Sequence, residues 1–189
     1  SRDWSSDVCS SDLLNLAGPA DAPNSVPSSA GVTPGVVSDT VVVPYNDVVA
    51  LERALATGEI ACVLAEPAMT NIGIIHPDPG YHAALRDLTR RTGTLLIIDE
   101  THTICTGPGG YTAAHGLEPD LLTIGKPLAG GIPAAAYGLS DAVAERILGS
   151  ATGEDCDVSG IGGTLAGNAL TLAAMRATLG EVLTEEAFA

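Results

Sequence analysis

The sequence has a single lysine, Lys126, and aromatic side chains make up only 3% of its 189 residues. Basic residues are scarce as well, because 8 Lys and Arg stand against 23 Asp and Glu and leave a net charge of −15. Binding to nucleic acid needs clustered cations on the protein, and so does binding to an anionic membrane surface. No apolar run has the length of a membrane span. We therefore expect neither nucleic acid nor a membrane among the partners of this chain.

Paired cysteines are absent too, because the four cysteines lie far apart and form neither a CxxC motif nor a pair with the spacing of zinc ligands. With few aromatic residues, the core must consist mainly of Val, Ile, Leu and Ala. We expect no metal site and no disulfide framework, and the reducing cytoplasm is the expected location. The four cysteines are Cys9, Cys62, Cys105 and Cys156.

The beginning of the chain has an unusual origin. Residues 3–13 read DWSSDVCSSDL, which is the translation of a common sequencing-library adapter without a mismatch. The alternative is a natural disordered tail rich in Ser and Asp, but eleven consecutive matches favour the adapter. We expect residues 1–13 to be non-native, residues 14–40 to be loop-rich because of their Pro, Ser, Ala and Gly, and residues 41–189 to be a domain truncated at both ends.

Apolar runs bounded by Gly and Pro predict five strands, and amphipathic or capped segments predict four helices. Apolar strands that alternate with helices indicate an α/β fold with a mixed, mostly parallel sheet and helices on both faces. Asn46 is expected to cap the first helix, and Gly93 to end the second. The predicted strands cover residues 40–45, 60–67, 94–99, 120–125 and 132–140, and the predicted helices cover residues 47–58, 78–93, 141–149 and 164–180.

Polar residues follow several of the predicted strands at the point where each strand ends. Glu66 ends the second strand, Asp99 and Glu100 end the third, and Lys126 comes just after the fourth. Ligands of such sheets bind beyond the carboxyl ends of the strands. We therefore expect these carboxylates and the amine to lie at a common rim.

The only lysine lies in an apolar and glycine-rich stretch, LLTIGKPLAGG. A charged amine is costly in such surroundings, and a neutral amine is a nucleophile that forms Schiff bases with carbonyl compounds. The alternative interpretation is a chance singleton in a gene that prefers arginine. An amine and a carboxylate are what pyridoxal phosphate needs, because the amine holds the aldehyde carbon and the carboxylate keeps the pyridine nitrogen protonated.

The run LLIIDE, which contains Asp99, is also similar to a Walker B strand, whose Asp holds magnesium. The same Asp could simply cap the segment that follows it. A P-loop requires the pattern G-x-x-x-x-G-K-[ST], and Pro127 follows Lys126 here. A P-loop ATPase fragment therefore stays a minor alternative.

Four stretches, in this order, carry a family resemblance: VLAEPAMTNIG, LLIIDETHT, DLLTIGKPLAGGIPAAAYG and GGTLAGNAL. They resemble the class III pyridoxal-phosphate-dependent aminotransferases, and most closely the glutamate-1-semialdehyde aminomutase-like branch. The resemblance extends over residues 41–180. It implies part of the large domain of fold type I. It also implies a homodimeric full-length enzyme that transfers an amino group, or moves it within the molecule, with amino acids and keto acids as substrates.

The resemblance also implies roles for the residues at the rim. Lys126 would form a Schiff base with pyridoxal 5'-phosphate and then act as the general acid and base. Asp99 would pair with the pyridinium nitrogen, and Glu66 would line the pocket.

Three further roles follow from the same resemblance, and two of them fall on departures from the family pattern. Thr101, where the family usually has Val, would pack on the ring face, and His102, where Gln or Met is usual, would lie near the phenolic oxygen. Thr164 would bind the phosphate of the neighbouring subunit. Asn71 stands where many ω-aminotransferases have Glu, which resembles the aminomutase-like branch instead.

Other functions remain open on this evidence. One is another pyridoxal-phosphate reaction, such as racemisation, and another is a catalytically inactive scaffold. The Gly/Ser/Thr-rich turn with which the family binds phosphate is not found in residues 14–40. We therefore expect the isolated chain to be inactive and to bind the cofactor weakly.

Overall fold

The computed structural model describes residues 14–17, 24–71, 73–150 and 165–189. The strands in this part of the chain are β1 (Leu14–Ala17), β2 (Asn24–Pro27), β3 (Cys62–Ala65), β4 (Leu95–Asp99), β5 (Leu121–Ile124) and β6 (Ala136–Leu139). The helices are α1 (Pro34–Ser38), α2 (Val48–Leu55), α3 (Tyr81–Thr92), α4 (Gly110–His115), α5 (Asp141–Ser150), α6 (Ala169–Ala177) and α7 (Glu185–Phe188).

The chain divides into two compact units, and the first holds the described parts of Ser1–Ala61 together with Met69–Thr94. In it, β1 and β2 form an antiparallel hairpin and α2 packs against α3. An ion pair of 3.2 Å between Arg91 and Glu52 joins the two helices at their exposed side. Tyr81, at the start of α3, packs against Tyr45 with ring centroids 4.8 Å apart and ring planes tilted by 57°. Burial raises the pKa of Tyr81, and a backbone hydrogen bond with Asn46 lowers it in part.

The second unit, Cys62–Ala68 with the described part of Leu95–Ala189, contains a four-stranded sheet in the order β3-β4-β5-β6. The first three strands are parallel, and β6 runs antiparallel to β5. Alternate residues of β4 are almost fully buried, with Leu96 at 3% and Ile98 at 1% exposure. The prediction of an α/β fold with a mixed, mostly parallel sheet is confirmed. The placement of helices on both faces stays a prediction.

Residues 40–45 were expected to form a strand, and this prediction is wrong. They have no regular secondary structure, and Val41 is 57% exposed. Val42 donates its N–H to the side-chain oxygen of Ser25 at 2.9 Å rather than to a neighbouring strand. Pro44 has no N–H to offer to a ladder, so an apolar run rich in valine does not become a strand here.

Two other local predictions need correction. The helix cap is Asp47 rather than Asn46, because the Asp47 carboxylate accepts the N–H of Ala50 at 2.8 Å. Asn46 lies at φ 67° and bridges to another loop through the carbonyl of His76 and the N–H of Asp78. Within residues 14–40, the structure has the hairpin β1–β2 and the helix α1 instead of loop alone. These elements of four or five residues are too short to show a periodic pattern.

The other four predicted strands appear as β3 to β6, and the first three predicted helices appear as α2, α3 and α5. The helix predicted over residues 164–180 is α6, which begins only at Ala169, and α4 and α7 were not predicted. The α3 helix ends where Gly93 takes φ 72°, as expected for a glycine after a helix. No helix among the residues described is both long enough and apolar enough to cross a membrane.

Asp120 ties the start of β5 to its neighbours on both sides. Its carboxylate accepts the N–H of Leu96 at 2.8 Å, and its own N–H donates to the carbonyl of Leu96 at 2.8 Å. Its carbonyl accepts the N–H of Ser140, just after β6, at 2.9 Å. One residue therefore links β5 to both β4 and the end of β6.

We expect Asp120→Ala to lower the free energy of unfolding by about 1–3 kcal/mol, because the buried N–H of Leu96 loses its acceptor. Asp120→Asn keeps an acceptor oxygen and is the matched control, with less than half of that loss. Urea unfolding of both variants measures the difference. Equal losses in the two variants would contradict this account.

Candidate active site

The carboxyl ends of β4 and β5 bring the predicted site residues to one rim of the sheet. The two strands are parallel, and Asp99 is paired with Thr123 in their register. Lys126 lies three residues beyond Thr123 and two residues after the end of β5. The predicted amine and carboxylate are therefore carried by the ends of two neighbouring strands.

Lys126 has an unusual backbone conformation. It begins the 3-10 turn Lys126–Ala129 and has φ of 43°, in the left-handed region that disfavours residues with a side chain. Leu128 and Ala129, later in the turn, are 1% and 3% exposed and anchor it. Lys126 itself is half-buried. Backbone strain of this kind concentrates at functional sites.

His102 is in direct contact with the amine. The Nζ of Lys126 and the Nε2 of His102 form a hydrogen bond, in which the tautomer of the ring decides which nitrogen is the donor. His102 was predicted near the cofactor's phenolic oxygen, and that role stays a prediction. The contact with the lysine was not anticipated from the sequence.

Asp99 shows part of the capping behaviour that was the alternative interpretation. Its Oδ1 accepts the N–H of Thr101 at 2.8 Å, which fixes the turn that follows β4. Asp99 is half-buried at the end of its strand. A carboxylate has two oxygens and several acceptor positions, so this bond leaves it able to bind a further donor.

Thr101 lies beside the backbone that carries the lysine. A Cβ placed on Gly125 would be 3.6 Å from both Cγ2 and Oγ1 of Thr101. Glu66 follows β3 and is half-buried, before the buried pair Pro67 and Ala68. The strand order puts β3 next to β4, so Glu66 belongs to the same rim.

Glu100 is the most deeply buried charged residue of the rim, with 0% exposure. One carboxylate oxygen accepts the hydroxyl of Thr103 at 2.8 Å and the N–H of Tyr111 at 3.0 Å, and the other accepts the N–H of Thr112. Its backbone N–H donates to Thr123 on β5 at 2.8 Å. Such a buried carboxylate is stable only with hydrogen bonds of this kind.

The backbone of Gly110 comes very close to this carboxylate. A Cβ at that position would lie 2.5 Å from Oε2 of Glu100, and Gly110 has φ of 67°. Only glycine allows both the approach and the dihedral angle. Glu100 thus holds the segment between His102 and α4 against the end of β4.

One predicted site residue cannot be placed. Thr164, expected to bind the phosphate of a neighbouring subunit, lies outside the described residues. Within the described ranges, no cluster of three or more His, Cys, Asp and Glu side chains could hold a metal ion.

Comparison with known proteins identifies the family. Residues 22–189 match the class-III aminotransferase family. The chain belongs to this family. This membership favours the aminotransferase interpretation of LLIIDE over the Walker B interpretation.

Several relatives similar to this chain share the name of one enzyme. Glutamate-1-semialdehyde 2,1-aminomutase of Sulfurihydrogenibium azorense is 40% identical over 165 residues, which are 86% of this chain and 37% of that protein. A crystal structure of a glutamate-1-semialdehyde-aminomutase from Pseudomonas aeruginosa PAO1 is 50% identical, with a TM-score of 0.83, and covers 98% of this chain and 41% of that one.

A second structure of the Pseudomonas aeruginosa PAO1 enzyme contains a ligand. It is a variant with one lysine replaced by alanine, in complex with PMP. It is 51% identical, has a TM-score of 0.81, and covers 94% of this chain and 40% of that one. The chain therefore spans about two fifths of the length of the relatives that it matches.

Two features of the site were missed by sequence reasoning. In the sequence analysis, Glu100 was placed only at the rim. Neighbouring residues of a strand point to opposite faces, so one of the adjacent acids Asp99 and Glu100 had to point inward. The glycines GPGG after Thr106 were the signal that a close approach follows. The contact between His102 and Lys126 joins residues far apart in the sequence, and no local pattern reveals it.

We expect Glu100→Gln to lower the free energy of unfolding by about 1–3 kcal/mol, because an amide NH2 would face a backbone N–H donor. Glu145→Gln, at an exposed position of α5, is the control and should change stability by less than about 0.5 kcal/mol. Chemical denaturation checks both values. If Glu100→Gln unfolds with the same free energy as the control, Glu100 does not anchor the segment between His102 and α4.

Proposed function

We propose that this chain supplies the lysine-bearing part of a site that moves an amino group on an amino acid, with pyridoxal 5'-phosphate as cofactor. The observation that carries the proposal is that half-buried Lys126, just after β5, and Asp99, at the end of β4, lie at the same rim of the sheet. Family membership supports it, and so does the fold shared with a structure that holds PMP.

The residues at the rim suit this cofactor chemically. Pyridoxal phosphate, when bound, supplies an aldehyde and an electron-withdrawing ring that stabilises negative charge on the substrate carbon. Lys126 would hold the aldehyde carbon through Nζ, and Asp99 would hold a proton on the ring nitrogen. Thr101, next to Gly125, and Glu66 would border the ring and the pocket.

The chain's own residues then have defined tasks in the reaction. Lys126 would hold the aldehyde carbon until a substrate amine takes its place, and its freed Nζ would then take a proton from the substrate carbon and return one at a neighbouring position. The Asp99 carboxylate would accept a hydrogen bond from the ring nitrogen. The half-buried setting limits water around the amine, which strengthens the electrostatic interactions of the site.

The choice between transamination and amino-group migration rests on the relatives. Their names favour migration within glutamate-1-semialdehyde, and we propose this reaction class with amino acids and keto acids as the wider substrate group. We also propose a homodimer, in which Thr164 would bind the phosphate of the partner site. The cytoplasm is the proposed location, on the basis of the dispersed cysteines.

A labelling experiment tests the proposal directly. We expect excess pyridoxal phosphate followed by borohydride to leave the reduced cofactor on the peptide that contains Lys126. Lys126→Arg removes the only side-chain amine and should abolish the label there, while labelling of the N-terminal amine persists. Peptide mass spectrometry locates the label. Labelling of the N-terminal amine alone in the unaltered chain would contradict the proposal.

The role of Asp99 is tested in the same assay. We expect Asp99→Ala to lower the occupancy of Lys126 about tenfold at subsaturating cofactor, because one hydrogen bond to a charged group is lost. Asp141→Ala, an exposed acid at the start of α5, is the control and should leave the occupancy unchanged. If both variants are labelled as well as the unaltered chain, Asp99 has no part in cofactor binding.

A further inference from the structure

The turn that carries Lys126 needs support from other parts of the fold. A left-handed angle such as the φ of 43° at Lys126 persists only where the surrounding structure holds it. Within the turn, the N–H of Leu128 donates to the carbonyl of Gly125, and the N–H of Gly130 donates to the carbonyl of Pro127, both at 3.2 Å. The hydrogen bonds of a 3-10 turn have poor geometry. The packing of neighbouring elements therefore contributes to fixing the turn.

Two consecutive helical elements pack against this turn. They are α6 and the π-helical turn Thr178–Val182, which directly continues it. Thr178 begins the π-helical turn and is only 7% exposed. Its N–H donates to the carbonyls of Ala174 and Met175, and its carbonyl accepts the N–H of Leu183 at 2.8 Å. The backbone of Thr178 is thus held on both sides by the helical segment.

The side chain of Thr178 lies against the residue that ends the lysine turn. A Cβ placed on Gly130 would lie 3.2 Å from Oγ1 of Thr178, which is tighter than an ordinary contact. Gly130 also has φ of 62°, which favours glycine. The bare backbone of Gly130 and the hydroxyl of Thr178 therefore fit closely together at the point where the turn ends.

We propose that Thr178 is a positioning residue, which holds the turn Lys126–Ala129 through its contact with Gly130 and so keeps the amine aligned at the rim. Thr178 acts through the backbone of the turn and not on the reacting atoms. A π-helical turn at this place agrees with the frequent occurrence of such turns at functional sites. The inference rests on the proposed function, because the alignment of Lys126 matters for the attachment of an aldehyde.

Labelling of Lys126 with pyridoxal phosphate and borohydride measures the alignment. At subsaturating cofactor, we expect Thr178→Ala to lower the label on Lys126 about tenfold, because a small displacement of a reacting group slows its reaction strongly. Thr178→Ser keeps Oγ1 and should label like the unaltered chain. Val182→Ala removes a side chain of the same shape from an exposed position of the same π-helical turn, and it should also leave the label unchanged. Normal labelling of Thr178→Ala would overturn the assignment.

A second comparison separates positioning from a general loss of stability. Val143→Ala shortens a buried side chain of α5, in the same compact unit but on neither element that packs against the turn. We expect it to lower the free energy of unfolding in urea, as Thr178→Ala does, and to leave the label unchanged. An equal loss of label in Val143→Ala and Thr178→Ala would overturn the assignment.

The contact itself is tested by combining Thr178→Ala with Gly130→Ala. Gly130→Ala alone presses a Cβ against Oγ1 of Thr178 and should also lower the label. In the double variant the hydroxyl is gone and the new Cβ has room, so the combined loss should be smaller than the product of the two single losses. A combined loss equal to that product would show that the two residues act independently, against the proposal.

Hydrogen exchange of the peptide that contains Lys126–Gly130 gives a measurement without cofactor. We expect faster exchange in Thr178→Ala and unchanged exchange in Thr178→Ser and Val182→Ala, because only the first variant frees the turn. If Lys126 in the unaltered chain is not labelled, the proposed function fails. If exchange in Thr178→Ala is unchanged, Thr178 does not hold the turn, whatever the outcome of the labelling.

Discussion

The parallel pairing of β4 with β5 is the constraint on which the candidate site depends. Because Asp99 is in register with Thr123, the Asp99 carboxylate and the residue Lys126 lie at the same rim of the sheet. A shift of one residue would turn every side chain of a strand to the opposite face. Asp120 fixes this register at the far end of β5 by exchanging two hydrogen bonds with Leu96. The chemistry at one end of the strand therefore relies on an aspartate at the other.

The second support of the site is a charge that takes no part in the proposed reaction. Glu100 is fully buried, and its carboxylate holds the N–H groups at the start of α4. Neighbouring residues of a strand point to opposite faces, so Asp99 and Glu100 have different surroundings although they are adjacent. One carboxylate remains half-buried at the rim, and the other fixes the segment that contains His102. Two adjacent acids therefore have different tasks, since Asp99 is available for binding and Glu100 stabilises the fold around the site.

The sequence allowed prediction of the sheet and of the residues at its rim, because long apolar runs and strand ends are local patterns. The strands 94–99 and 120–125 were found almost to the residue. The run VVVP led to the wrong prediction of a strand. Its proline has no N–H for strand pairing, and the N–H of Val42 is bound by the side chain of Ser25 instead. The hairpin β1–β2 was too short to be recognised. The pairing of His102 with Lys126 depends on which strands are neighbours, and a single sequence does not encode that in any local pattern.

The left-handed conformation of Lys126 has a consequence for how this region can evolve. A residue with a Cβ at such an angle costs about 1–2 kcal/mol relative to glycine, so the stability of the domain and the presence of the amine are in conflict at this position. Selection for a robust fold alone would replace the lysine by glycine or asparagine. A copy of this domain that lost its chemistry would thus gain stability through the same substitution that disables it.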